Sequence, residues 1–341
     1  MSWNPEVTTI KKVEKHPNAD ALDLVTIYED IIAISKIGQY KPGDLVSYLP
    51  IDTIPGDHEM FEFLGSDRNK RIKAKRLRGI FSMGLLIPAP ENFKDGDSVV
   101  DYYKLTRHFS DFEKSEYIHK DSAVLGLDSG CNEKNPKEFE IPYYDIENAR
   151  KYANLFGWEE EVVITAKIHG ENFSMIHDGN RLWCKSRNFY KVKHPNSKWW
   201  DYPIREDMET KLSKYPMLAF FGEYTGGVNG FRYDCEIKDG KVIRKFKLFD
   251  IYNTQTNKFL EYDEMLEIAR DINLEVVPEL FRGKWTSLND FKHLVEGSSK
   301  LNPNHIEEGF VVRSLERPKF RNNDRSILKY VSEKYLLSKH S

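Results

Sequence analysis

The chain has 341 residues, 40% of them hydrophobic and 31% charged, with a formal net charge of −3. That length predicts two domains, and the charge excludes a globally basic protein, so any contact with nucleic acid must come from a local basic face. The three cysteines, Cys131, Cys184 and Cys235, are far apart and lie in no C-x-x-C or paired Cys/His spacing, which excludes a disulfide framework and a structural zinc. The N-terminal stretch MSWNPEVTTIKKVEKHPNAD lacks the apolar core of a signal peptide. No apolar run has the length of a membrane span, so a soluble protein of a reducing, cytoplasmic compartment is expected.

Residues 1–105 read as short strands punctuated by turns. Leu22 to Ile27 alternates, Ile31 to Ile34 is a buried strand, and Pro42-Gly43-Asp44 turns into Leu45 to Leu49. Met83 to Ile87 and, after Asp95-Gly96, Ser98 to Val100 complete the set. Several short strands in one such segment predict a small β-barrel. His16-Pro17-Asn18-Ala19-Asp20-Ala21-Leu22 and Leu77-Arg78-Gly79-Ile80-Phe81-Ser82-Met83-Gly84 resemble the opening and closing segments of OB modules of the tRNA-binding sort. Between them stand Arg68, Lys70, Arg71, Lys73, Lys75, Arg76 and Arg78. On one strand or hairpin they would make a phosphate-tracking surface; the competing reading is an edge strand protected by charge. We expect nucleic-acid contact.

Residues 106–140 are polar and turn-rich (Asp121-Ser122, Asp128-Ser129-Gly130) and read as a connector. A second domain is expected over 141–341. Asp145 is placed to cap a helix over Ile146 to Phe156. Asn172 to His177 and Arg181 to Lys185 form a hairpin through Asp178-Gly179-Asn180, and Cys235 to Lys238 pairs with Lys241 to Tyr252 through Asp239-Gly240. Tyr262 to Ile272 has helical period, and Ser287 to Asp290 is a capping box. Gly309 to Val312 and Ile327 to Val331 are the last strands. Hairpins mixed with helices predict an α+β, antiparallel architecture. Gly226 to Gly230 reads as a flexible loop. Tyr190 to Lys193 with Trp199-Trp200 reads either as a nucleic-acid stacking surface or as a loop packed on its own tryptophans.

Polar residues recur at the ends of, or within, these apolar strands, where a sheet would converge them on one cleft. Lys167 follows Val162-Val163-Ile164-Thr165, in the motif Lys167-Ile168-His169-Gly170. A strand-end lysine is partly desolvated, which favours the neutral form a nucleophile needs; Gly170 frees the backbone to turn and lets a ligand approach. Ser186-Arg187 follows Leu182 to Lys185, Glu223 ends Leu218 to Gly222, Phe249-Asp250 lies inside Lys245 to Tyr252, Glu308 precedes Gly309 to Arg313, and Lys329 sits in Ser326 to Val331.

The order K-x-x-G, S-R, G-E, F-D-I, E-G-x-V-x-R and a terminal basic strand resembles the covalent nucleotidyltransferases, which comprise polynucleotide ligases and capping enzymes. Lys167 to Phe173 and Phe220 to Tyr224 look most like the RNA ligase branch. An OB module in front of the transferase domain resembles the Deinococcus-type RNA ligases, over nearly the whole chain. Twelve residues follow Lys329, too few for the trailing OB domain of capping enzymes, which weighs against a capping-type guanylyltransferase. The intact motif set weighs against a non-enzymatic OB-fold RNA-binding protein.

The resemblance implies an ATP-dependent RNA ligase. Lys167 would carry AMP, Lys329 bind the α-phosphate, Glu223 the ribose hydroxyls, and Phe249 stack on adenine, with Phe246 a weaker choice on the opposite strand face. Glu308, with Glu223, would organise the water shell of Mg²⁺ or Mn²⁺. Arg187 would contact the ribose or nucleic-acid phosphate and Asn172 the 5′-phosphate end, beside Arg68, Lys70, Arg71, Lys73 and Lys75 of the OB module. Lys247 and Arg313 are further candidates. The implied substrate is RNA, or an RNA-containing duplex with 5′-phosphate and 3′-hydroxyl ends, joined at nicks in repair by a monomer. Two positions depart from the resemblance. His169 stands where many relatives have Asp, and Lys329-Tyr330-Val331 stands where many have Lys-x-Lys, leaving Lys334 as the nearest later cation.

Overall fold

The computed structural model describes residues 3–109, 132–226, 233–234, 236–238, 241–316 and 326–340. Most of the connector, including Asp121-Ser122 and Asp128 to Gly130, the greater part of the Gly226 to Gly230 loop, and the Asp239-Gly240 turn lie outside the described residues.

The N-terminal strands β1 (Glu6–Lys15), β2 (Leu22–Ile27), β3 (Ile31–Lys36), β4 (Leu45–Leu49), β5 (Thr53–Ile54), β6 (Lys75–Leu77), β7 (Ile80–Ser82), β8 (Leu85–Pro88) and β9 (Thr106–Arg107) build an OB-type module. Its main sheet runs β3-β2-β1-β4-β8. A register shift in β1 between Ile10 and Lys12 lets its first half pair with β4 and its second with β2. Such a bulge bends a strand and increases its twist, so one long strand serves both faces of the curl. β2 alternates strictly between buried and half-buried positions, and Val25, Ile27, Ala33, Val46 and Phe81 fill the interior.

The basic segment is not one strand. Arg68 ends a stretch of helical turns over Glu59–Asn69, broken at Gly65, whose φ is 55°. Lys75 and Arg76 lie on the β6–β7 hairpin, whose turn residues Arg78 and Gly79 both have positive φ, as a two-residue hairpin turn requires.

The second domain comprises β10 (Glu147–Asn148), β11 (Glu161–Lys167), β12 (Glu171–His177), β13 (Leu182–Ser186), β14 (Tyr190–Lys191), β15 (Leu218–Thr225), β16 (Glu236–Lys238), β17 (Lys241–Ile243), β18 (Lys245–Asn253), β19 (Lys258–Phe259), β20 (Glu279–Lys284), β21 (Gly309–Ser314) and β22 (Ile327–Val331). They form two principal sheets, β10-β22-β21-β11-β20 and β14-β13-β12-β15-β18-β19. Pairing is antiparallel except for β10 against β22, which bears out the α+β, antiparallel expectation. The helices Tyr262–Asp271 and Leu288–Phe291 fall where period and capping box place them, with Ser287 Oγ accepting from Asp290 N–H.

One sequence expectation is corrected, and one pair of open alternatives is decided. The helix expected over Ile146 to Phe156 is absent: Glu147 and Asn148 pair with Leu328 and Lys329, and the Ala149 N–H donates to the Lys329 carbonyl. Sheet pairing outcompetes the cap because Asp145 is taken by a lysine of that neighbouring strand. Trp199 and Trp200 are 3% and 1% exposed, in a core with Phe173, Phe220 and Tyr224, so they are packing residues and not a stacking surface.

The OB module is docked, not tethered. Val331 of β22, with Tyr335 and Leu336 of the helix Glu333–His340, is buried in its core. Asp30 accepts from Arg150 and Lys292, each at 2.9 Å, and Glu333 accepts from Arg76 at 2.9 Å.

Candidate active site

Three neighbouring strands of the first sheet carry the charged centre. Lys167 ends β11 opposite Gly309 of β21, and Val311 of β21 lies opposite Lys329 of β22. A Cβ on Gly309 would stand 1.9 Å from the Tyr330 carbonyl oxygen, so only glycine allows the chain to pass there and deliver Glu308 to the lysine. Lys167 Nζ donates to Glu308 Oε1 at 2.6 Å. Glu308 is 7% exposed, and its Oε2 is buried with no hydrogen-bond partner among the described residues.

The second sheet supplies the facing groups. Glu223 on β15 lies directly opposite Asn172 on β12. The Glu223 carboxyl is pushed up to about 8, by burial first and by the Glu308 charge, against the opposing pull of Lys167 and Arg187. Gly170 does not have positive φ. A Cβ there would meet the Tyr224 carbonyl oxygen at 2.7 Å and Glu223 Cγ at 2.8 Å, so the close approach it permits is that of β15 rather than of a ligand.

Phe249 is the extra residue of β18 where the register against β15 shifts, Phe221 facing Asp250 and Gly222 facing Leu248. A bulge re-aims side chains, and the half-buried Phe249 ring packs 4.9 Å from Tyr144 and against the cluster of Ala166 and Ile168 that flanks Lys167. Phe246 is 1% exposed in the opposite core. Arg313 donates to the Phe249 carbonyl at 2.8 Å and pairs with Asp250, which makes it a brace for this strand. Lys247 pairs with Asp234 at 2.5 Å and with Glu275.

Arg187 follows β13, its guanidinium 5.6 Å from the exposed Tyr143 ring. Its Nε is buried with no hydrogen-bond partner among the described residues. Lys329 is 6% exposed and donates to Asp145 Oδ1 at 2.7 Å. The sequence reads Asp145 as a helix cap, and its place just ahead of the two-residue strand β10 carries no signal of this other use.

His169 bonds to the C-terminal helix. Its Nδ1 hydrogen-bonds with the hydroxyl of Tyr335, on the helix docked into the OB core, and no sequence signal pointed to that partner. Lys334 donates to the Glu296 carbonyl at 2.6 Å. A cavity of about 350 Å³ opens between the two domains, lined by Lys167, Glu308 and Tyr335 on one side and by Tyr28, Tyr48 and Asp52 on the other. On the OB surface, Arg68, Lys70 and Arg71 pair with Asp57, Asp67 and Asp52, while Lys73 and Lys75 are exposed. Among the described residues no helix is long and apolar enough to cross a membrane.

A family model for RNA ligases matches residues 160–331, and one for an OB-fold domain matches residues 5–89. No curated protein matches the chain by sequence. The fold is similar to that of a Naegleria gruberi RNA ligase with PPi, at 23% identity over 100% of this chain and 99% of that one, with a TM-score of 0.79. Variants of the Naegleria ligase are similar too. One, with ATP and Mn, shares 21% identity over 98% of this chain and 99% of that one, with a TM-score of 0.80; another, with AMP and Mn, shares 21% over 98% of each, with a TM-score of 0.81.

Proposed function

The chain belongs to the RNA ligase family, and on that premise we propose that it joins 5′-phosphate to 3′-hydroxyl ends with ATP, through AMP carried on Lys167. The observation that carries this reading is the Lys167–Glu308 pair at 2.6 Å, set on the same sheet as Lys329 and facing Glu223 and Arg187.

The Lys167 amine attacks the α-phosphorus of ATP, forming a P–N bond as the bond to pyrophosphate breaks. A 5′-phosphate oxygen then attacks the same phosphorus and releases the lysine. Last, a 3′-hydroxyl attacks the 5′-phosphate and AMP leaves. Each transfer depends on in-line positioning and on cations at the phosphoryl oxygens. Lys329 supplies a fixed cation; Arg187, with an unsatisfied buried Nε, takes ribose or phosphate. Glu223 binds the ribose hydroxyls, Phe249 stacks on adenine, and Asn172, opposite Glu223, meets the 5′-phosphate end. His169, held by Tyr335, fixes the loop after Lys167 beside the nucleotide.

Glu308 and Glu223 suit a hard divalent cation: one has a buried oxygen without a partner among the described residues, and the other is driven toward neutrality by burial and by its acidic neighbour. Carboxylate and water oxygens are what Mg²⁺ and Mn²⁺ prefer. Such an ion, bound through water, would neutralise charge on the phosphates.

Lys73 and Lys75, together with Arg68, Lys70 and Arg71, form the nucleic-acid face of the OB module. We read the substrate as a nick in a duplex with RNA on the 3′-hydroxyl side, and the protein as a monomer of the cytoplasm whose buried thiol, Cys184, suits a reducing compartment. The test is joining of labelled nicked duplexes and of free single strands, with RNA or DNA at the 3′-hydroxyl. Faster sealing of the nick with an RNA 3′ end is expected; equal joining of single strands overturns the substrate assignment.

A further inference from the structure

The segment just ahead of β10 crosses the cleft and places three consecutive side chains on three parts of the site. Tyr143 lies beside the Arg187 guanidinium. Tyr144 donates to Asp250 Oδ2 at 2.7 Å, on the second sheet. Asp145 accepts from Lys329 at 2.7 Å, on the first. Its Oδ1 also accepts from the Ile146 N–H at 2.9 Å, which fixes the carboxylate. The strand that follows is zipped onto the strand carrying Lys329, Asn148 opposite Lys329 itself.

We propose that Asp145 is a positioning residue for Lys329, holding its ammonium charged and aimed into the cleft where a nucleotide phosphate would bind. This rests on the ligase reading above. Burial lowers the Lys329 pKa, the Lys167 and Arg187 charges lower it further, and Asp145 opposes them. The residues flanking Lys329 across the sheet, Asn148 and Val311, carry no charge. Asp145 is therefore the anion in direct contact with this lysine, and the largest influence opposing its burial. Burial would raise its own carboxyl, which is nonetheless held below its ordinary value, by Lys329 above all, with a smaller contribution from Arg187.

The sign follows from the lysine's role. Lys329 assists only while protonated; Asp145 keeps it protonated to higher pH, so removing the carboxylate brings the loss of activity to lower pH. The experiment is the pH profile of single-turnover label transfer from α-labelled ATP to the protein, for wild type, Asp145→Asn and Asp145→Glu. For Asp145→Asn the alkaline limb should move down by about 1 to 3 pH units, the range over which a nearby opposite charge acts, with the acid limb unmoved and Asp145→Glu restoring most of the limb. Asp145→Ser, which keeps an oxygen for the Ile146 N–H, carries the same test if the Asn variant does not fold. An alkaline limb superimposable on that of wild type, at whatever rate, overturns the proposal. A wild-type protein that takes no label fails the ligase reading instead.

Discussion

Lys167 Nζ and Glu308 Oε1 stand 2.6 Å apart although 141 residues separate them in the chain. Their strands meet through the Lys167–Gly309 pair, and the carboxylate is nearly buried while the lysine keeps 26% of its side chain exposed. The pair is thus ordered, yet the amine remains reachable from the interdomain cavity.

Glu308→Gln keeps the shape and removes the charge. With Oε2 unsatisfied in the folded protein among the described residues, the deficit should fall on catalysis: adenylylation slowed by about 10²-fold, the scale of removing one preorganised polar group from such a site. Single-turnover label transfer checks this, and a rate within a few-fold of wild type contradicts it.

Glu223 sets a pH dependence of stability. Its carboxyl is raised from 4.5 to about 8 in the fold, so between those values the folded state holds a proton that the unfolded chain has released. Stability from this group therefore falls as pH rises across that window. The melting temperature of Glu223→Gln minus that of wild type should widen from pH 5 to pH 8, and Mn²⁺ should narrow it by favouring the wild-type carboxylate. A gap independent of pH contradicts the assignment.

Gly170→Ala should disable the site while leaving the fold. Its Cβ would press on the β15 backbone at Tyr224 and on Glu223 Cγ, moving the carboxylate that faces Lys167; a misplacement of about 1 Å costs about 10²-fold. Kinetics together with a melt near that of wild type test it.

The sequence made some of this legible and hid the rest for physical reasons. The positions of Lys167, Glu223, Glu308 and Lys329 at the ends of, or within, apolar runs that read as buried strands made their convergence legible. Asp145 could not: an acid before an amphipathic stretch is equally a helix cap, and only pairing of β10 with β22 decides between them. The Tyr335 partner of His169 lies 166 residues away, in a helix whose docking depends on the OB core. Trp199 and Trp200 left two readings open because aromatic and basic residues side by side serve a packed core as well as a base.

The basic face of the OB module gives a salt-dependence test. Lys73→Ala with Lys75→Ala should weaken binding of nicked duplex and lower the slope of log affinity against log salt by about 1 for each phosphate no longer neutralised. Lysine adenylylation should be unchanged, since neither residue lies at the site. An unaltered slope removes these residues from the interface.

Joining by this route requires AMP on Lys167 before any nucleic acid is touched. Protein incubated with ATP and Mn²⁺, then digested and analysed by mass spectrometry, should yield one peptide carrying a single AMP on Lys167, abolished in Lys167→Ala and absent with GTP. Modification at another lysine, labelling from GTP alone, or no adduct under any condition would rule out Lys167 as the AMP carrier.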